Sequence, residues 1–455
     1  MTKQQRLVLV VAIMASIVAA LDVFIVNVAL PTISHELGGG LVVQQWTVDA
    51  YLITLGALIL IAGSLSDLLG RVRVLRLGLI WFGLTSILCA LAPNGATLVA
   101  SRALQGVGGA LLMPSSLALI IAAFSGPAQG KAIGRWSGWL SIATIAGPLL
   151  GGLIIAAGSW RWIFAVNVLP IGVTLWLLAR LHEPNVVKPG TAIDRLGAVL
   201  CAIGLGGPVF ALIEQPNYGW SSPLVWVPGL AGLLVLGLFV WHEHRTAAPM
   251  LPLSLFRSRN FSAGNLATLA IYAGLSVSTF LIVITLQQVG GYSALQASLA
   301  TMPTSIVMFL LSGRFGALAG RFGPRLFMTT GPLVAAVGFL LMERLQPQVH
   351  YLADLLPGVL VFALGLAITV APLTSAVLGG VEKRHAGVAS AVNNAVARVA
   401  GLLAIAFVGV ITGPRLNIQG FHRALVVIAV LLAVGGLISF AGIRNQARAA
   451  ADQLP

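Results

Sequence analysis

Apolar residues in this chain come in runs of about twenty, separated by short polar breaks. The runs are too long for strands and too continuous for the helices of a soluble core. Fourteen can be marked, near residues 7–31, 46–65, 74–92, 97–124, 133–157, 162–181, 196–213, 223–241, 262–286, 297–319, 325–343, 352–378, 388–411 and 422–443. Each suffices, as a helix, to cross a hydrocarbon layer of ~30 Å. The first run is longer than the apolar region of a secretory signal and carries Asp22 and Asn27, so it is expected to stay in the mature protein.

The runs group as six, two and six. The central pair is bounded by the polar stretches His182-Glu183-Pro184-Asn185 and His242-Glu243-His244-Arg245. A shift of 253 positions aligns Gly63-Ser64-Leu65-Ser66-Asp67-Leu68-Leu69-Gly70 with Gly316-Ala317-Leu318-Ala319-Gly320-Arg321-Phe322-Gly323. Both copies fall at the end of the second run of a six-run group. The pattern predicts an all-α integral membrane protein of two pseudo-symmetric six-helix bundles, 1–182 and 251–455, joined through 183–250 by a loop and two additional spans. Paired bundles are a transporter architecture, with the substrate site expected near the midplane between them.

Composition agrees: 58% of the 455 residues are hydrophobic and 8% charged, and the mean hydropathy is +0.98. The net charge of +14 does not point to nucleic acid, because the basic residues are scattered singly between apolar runs. Their distribution instead orients the chain. With the N-terminus inside, twenty Lys and Arg fall on the cytoplasmic side and four, Arg161, Arg344, Arg415 and Arg423, on the other. Both termini are therefore expected in the cytoplasm and the protein in the cell membrane. Cys89 and Cys201 lie inside apolar runs, with no flanking ligands of a metal site.

Ionisable groups inside spans are costly and mark candidate functional residues. Asp22 lies about nine residues from the outer end of run 1, ~13 Å deep at 1.5 Å per residue. Asp49 in run 2 and Arg102 in run 4 occupy roughly the same layer. An apolar setting favours a protonated carboxyl and a nearby guanidinium favours the carboxylate, so an acid whose partner moves can load and release a proton. Asp22, Asp49 and Arg102 are the proton-coupling candidates, the alternative being a fixed structural ion pair.

The segment Gly63, Asp67, Gly70, Arg71 and Arg73 joins a span end to a tight basic turn suited to latching one conformation, or to a plain positive-inside anchor. Gly147, Pro148, Gly151 and Gly152 in run 5 combine a helix breaker with small residues four apart, as a gate or as a packing notch. In run 13, Asn394 and Arg398 share a helical face, which leaves substrate contact and structural hydrogen bonding both open for Arg398. Candidate substrate contacts are Phe24, Asn27, Gln105, Met113, Asn393 and Asn394.

Four segments carry a resemblance. They are Leu21-Asp22-Val23-Phe24-Ile25-Val26-Asn27-Val28-Ala29-Leu30-Pro31; Gln45-Trp46-Thr47-Val48-Asp49-Ala50-Tyr51 running on to the Gly63–Arg73 turn; Arg102-Ala103-Leu104-Gln105-Gly106-Val107-Gly108-Gly109; and Gly147-Pro148-Leu149-Leu150-Gly151-Gly152. With Trp160–Asn167 and Asn393-Asn394 beside Arg398, the chain resembles the fourteen-span drug:proton antiporters of the major facilitator superfamily over nearly its whole length. The resemblance implies alternating access of two bundles, proton coupling through Asp22 and Arg102, and a role for run 5 in antiport. Leu68 stands where the turn motif usually has a basic residue, which implies a weaker latch.

The nearest phosphate-loop candidate, Gly126-Pro127-Ala128-Gln129-Gly130-Lys131-Ala132, is one residue short and lacks the Ser or Thr that would hold magnesium, so an ion gradient is expected to supply the work. The expected partners are protons, membrane lipids and a small lipophilic substrate, neutral or singly charged. No cofactor, metal or nucleic acid is expected, the working unit is expected to be a monomer, and nothing points to an enzyme. The competing reading is a proton-coupled importer of a nutrient or metabolite, for which the spans offer few convergent polar groups.

Overall fold

A computed structural model describes residues 1–124, 126–181, 194–246, 249–379, 381, 386–413 and 415–445. Among them no strand occurs, and the long elements are helices. In chain order they are α1 (Lys3–Leu37), α2 (Gly40–Leu69), α3 (Arg71–Ala90), α4 (Gly95–Ala123), α5 (Gly126–Ala156), α6 (Trp162–Ala165), α7 (Val168–Ala179), α8 (Arg195–Tyr218), α9 (Pro223–Arg245), α10 (Arg259–Gln288), α11 (Ala294–Phe322), α12 (Pro324–Leu341), α13 (Leu356–Gly379), α14 (Ala386–Ala406), α15 (Val408–Thr412) and α16 (Ile418–Gly442). Hydrocarbon offers no partner to an unbonded peptide group, so a chain this apolar resolves into helices whose backbone bonds are internal.

Thirteen helical segments among the described residues are long and apolar enough to span a membrane. The remaining run corresponds to α5, in which the described apolar stretch is Ala146–Ala156. Two runs are broken rather than continuous. Run 6 becomes α6 and α7 with Asn167 at their junction, and run 13 becomes α14 and α15 with Phe407 between them.

Helix ends follow the sequence closely. Thr2 and Gln5 form a reciprocal capping box at α1, with Gln5 N–H donating to Thr2 Oγ1 at 3.1 Å and Thr2 N–H to Gln5 Oε1 at 3.0 Å. Asn94 caps α4 by accepting from the Thr97 amide at 2.9 Å. Asp194 caps α8, accepting from the Gly197 amide at 2.7 Å and pairing with His242 Nε2 of α9 at 2.8 Å. Burial works against ionised Asp194, but the Gly197 amide and the His242 ring hold its carboxyl below the usual carboxylate range.

Two compact units emerge, which do not follow chain order. One gathers Met1–Pro252, Thr279–Ala300 and Leu402–Phe421; the other gathers Leu253–Ser278, Thr301–Gly401 and His422–Pro455. In the first, α1 packs on α4 and α5, α4 also packs on α2 and α3, and α8 packs on α2, α9 and α15. In the second, α12 packs on α13.

The internal repeat has a backbone signature. Gly70 ends α2 at φ 90° and Gly323 ends α11 at φ 86°, each just before the next helix begins. Gly78 and Gly331, also 253 positions apart, each face a neighbouring helix too closely for a side chain. A Cβ on Gly78 of α3 would stand 2.9 Å from Leu111 Cβ, and one on Gly331 of α12 would stand 2.9 Å from the Gly365 carbonyl. Equivalent third and fourth helices therefore approach through equivalent glycines.

The turn glycines give a stability test. Gly70→Ala and Gly323→Ala each force a side chain into a backbone region that glycine alone tolerates, at about 1–3 kcal/mol. Gly56→Ala, at a helical position with open space around it, should be neutral or slightly stabilising. Thermal unfolding in detergent should order the three variants accordingly, with both turn variants below the native protein.

Candidate functional site

Four polar side chains, from α3, α4 and the α6–α7 junction, gather around Asp22, which is 1% exposed in the middle of α1. Arg102 of α4, also 1% exposed, donates from Nη1 to Asp22 Oδ2 at 2.6 Å. Asp22 Oδ1 accepts from Gln105 Nε2 at 3.1 Å and from Asn167 Nδ2 at 3.0 Å. Arg102 and Gln105 reach the same carboxylate because they sit one turn apart on α4, and Arg102 Nη1 also donates to Gln105 Oε1 at 2.6 Å. Ser86 of α3 closes the cluster, accepting from Gln105 Nε2 at 2.9 Å.

The guanidinium is held on its remaining sides by α2. Its Nε donates to the Thr47 carbonyl at 3.0 Å, and its carbon lies 4.3 Å from the centre of the Tyr51 ring. Charge, hydrogen bonds and a ring face thus replace water around Arg102, which makes the pair tolerable in an apolar bundle. Each carboxylate oxygen of Asp22 thus has at least one donor.

Asp49 is fully buried on α2 in the same layer but stands outside this network. Neither of its carboxyl oxygens has a hydrogen-bond partner among the described residues. Helical periodicity explains the separation, since residues two positions from Thr47 and Tyr51 point to the other side of α2. That side carries Gln45, whose Nε2 donates to the Ile405 and Ala406 carbonyls at 2.6 and 3.1 Å, where α14 breaks before α15. Beside it, Trp46 Nε1 donates to Glu214 Oε1 of α8 at 3.0 Å, and its ring lies 5.9 Å from Phe210. The additional hairpin is therefore tied to the turn of α2 that precedes Asp49.

The glycine segment of α5 lies against α1 and α11. A Cβ on Gly147 would be 2.5 Å from Phe24 Cβ, one on Gly151 3.2 Å from the Ile25 carbonyl, and one on Gly152 2.7 Å from Leu295 Cα. Pro148 lies within the helix. Gly70 forms the turn between α2 and α3, followed by half-buried Arg71 and exposed Arg73, while Gly63 and Asp67 lie in α2, the Asp67 side chain being outside the described residues.

Of the candidate substrate contacts, Gln105 is engaged with Asp22, and Asn393 donates to Asn265 Oδ1 and Thr268 Oγ1 at 3.1 and 2.8 Å. Asn27 is 8% exposed, its Oδ1 without a hydrogen-bond partner among the described residues, Phe24 and Met113 are half-buried, and Asn394 is exposed with its Nδ2 on the Ser390 carbonyl. The roles of Asn167, Ser86 and Thr47 around Asp22 and Arg102 were not read from the sequence. A polar residue at midspan was the available signal, but its partner lies in a distant helix.

The sequence pattern of the Major Facilitator Superfamily matches residues 12–405. A methylenomycin A resistance protein of Bacillus subtilis (strain 168) is 34% identical, over 89% of this chain and 87% of its own length. A cephamycin export protein, CmcT, of Amycolatopsis lactamdurans is 33% identical, over 89% of this chain and 84% of its own. The crystal structure of the peptide transporter POT in complex with sulfate aligns with a TM-score of 0.70 over 95% of this chain and 94% of that one, at 16% identity.

The buried pair makes a prediction of its own. Asp22→Asn leaves Arg102 buried without a counter-charge and should cost about 3–5 kcal/mol, as should removal of the guanidinium alone. The double variant Asp22→Asn with Arg102→Gln should recover most of that loss. Unfolding midpoints of the two single variants and the double variant in detergent check it, and additive losses would mean that the two groups do not interact.

Proposed function

The chain belongs to the Major Facilitator Superfamily, and on that premise we propose that it is a proton-coupled antiporter exporting small lipophilic compounds such as antibiotics and dyes. The direction of transport follows the resistance and export proteins to which it is similar. The bias of Lys and Arg supports a cytoplasmic-membrane location with both termini inside.

The observation that carries the coupling is Asp49. Burying a carboxylate without a partner costs far more than burying the neutral acid. A closed pathway therefore suits a protonated Asp49, and an opening that admits water lets the proton leave. Asp22 and Arg102 serve the same cycle as a pair whose exchange of partners accompanies the movement of α1 against α4. Gly147, Gly151 and Gly152 form the close helix contact that seals one end, and the Gly63–Arg73 turn latches the other.

Phe24, Asn27 and Met113, all within one compact unit, are the substrate contacts of this reading and give it a mostly apolar lining with few polar groups. One proton entering down 100 mV contributes ~2.3 kcal/mol per charge, enough for a concentration ratio of roughly fifty for one substrate.

Inverted vesicles give the test, with a panel of neutral and singly charged antibiotics and dyes. A pH gradient should drive uptake by the native protein. Asp49→Asn should reduce gradient-driven accumulation by tenfold or more while leaving downhill exchange of the same compound in place. Full accumulation by Asp49→Asn would rule out this carboxyl as the proton carrier.

A further inference from the structure

Two arginines lie well inside spans, and the structure treats them in opposite ways. Arg102 is 1% exposed and ringed by Asp22, Gln105, the Thr47 carbonyl and Tyr51. Arg398, near the middle of α14, is partly exposed, and no ion pair or hydrogen bond joins it to another described residue. From Leu253 onward the acidic residues are Glu343, Asp354, Glu382 and Asp452, all in or beside the breaks between apolar runs or beyond the last run. This half of the chain supplies no midspan counter-charge for Arg398.

The surroundings of Arg398 are fixed by α10. Asn393 bonds to Asn265 and Thr268, and a Cβ on Gly401 would stand 2.6 Å from Ser276 Oγ. The two helices thus run side by side in the same direction, with Tyr272 at the level of Arg398 and within its electrostatic reach. Asn393 faces α10. Asn394 and Arg398, four residues apart, share a different face, and Asn394 is exposed. Arginines in spans turn toward a water-filled path or the bundle interior rather than lipid, and they take a partner there.

We propose that Arg398, with Asn394 beside it, binds the anionic group of a transported compound, so that lipophilic monocarboxylates are a preferred substrate class. The inference rests on the export reading and deepens it. The guanidinium fork matches a carboxylate in two parallel hydrogen bonds. The Asn394 amide adds a donor one turn away. A monoanion brings the charge that this half of the chain lacks, whereas a dication would meet like charge.

Binding to the purified full-length protein in detergent, with no gradient imposed, tests this apart from proton coupling. The probes are dansylglycine and its uncharged amide, followed by fluorescence. The native protein should bind the carboxylate about tenfold more tightly than the amide. Arg398→Gln should bind both equally, with affinity for the amide unchanged, and Arg398→Lys should keep part of the preference.

A native protein without preference, or Arg398→Gln that retains it, would overturn the assignment. So would an Arg398→Gln or Arg398→Lys protein that loses both probes alike together with thermal stability, the mark of a structural arginine. Failure of Asp49→Asn to uncouple vesicle transport would count against the export mechanism and leave this binding result standing.

Discussion

A guanidinium in hydrocarbon must have its charge answered on the spot, and the first half of this chain is arranged around that requirement. Arg102 takes Asp22 from α1, a carbonyl and a ring from α2, and Gln105 from its own helix, while Asn167 at the α6–α7 junction holds the far oxygen of Asp22. The contacts from α1 and α2 fix the rotation of those helices against α4. The close glycine approaches, such as Gly106 against the Tyr51 carbonyl and Gly108 against Phe82, then bring the backbones near enough for those bonds. A hydrophobic stripe alone would not set rotation here, because lipid is as apolar as the helix faces.

With Arg102 committed to Asp22, Asp49 on the opposite side of α2 has no hydrogen-bond partner among the described residues. The two acids share a layer yet differ, Asp22 accepting three hydrogen bonds and Asp49 none from the described residues. In the proposed cycle that asymmetry makes Asp49, rather than Asp22, the proton carrier. The additional hairpin reaches this region through Glu214 and Phe210 on Trp46. Its attachment lies next to the proposed proton site rather than at a remote edge.

Much of this was legible in the sequence, for physical reasons. Span length and the need for internal hydrogen bonds make apolar runs readable as helices, and the repeat offset of 253 correctly paired Gly70 with Gly323. Asp22 and Arg102 stood out because charge inside a span is costly. Other features depend on contacts that no local pattern encodes. Depth along a helix put Asp49 in reach of Arg102, but its azimuth on α2 turned it away. Asn167 finds Asp22 across 145 positions of chain, and nothing around Phe407 announces the break whose carbonyls Gln45 receives.

The central claim is that substrate binding is coupled to loss of a proton from Asp49. Proton release on binding tests it most directly, measured with a pH-indicator dye in weakly buffered detergent solution, using the tightest neutral compound from the transport panel. The account predicts release of roughly one proton per compound bound by the native protein, following linkage between the two ligands, and none from Asp49→Asn with binding retained. Equal proton release from both proteins would contradict it.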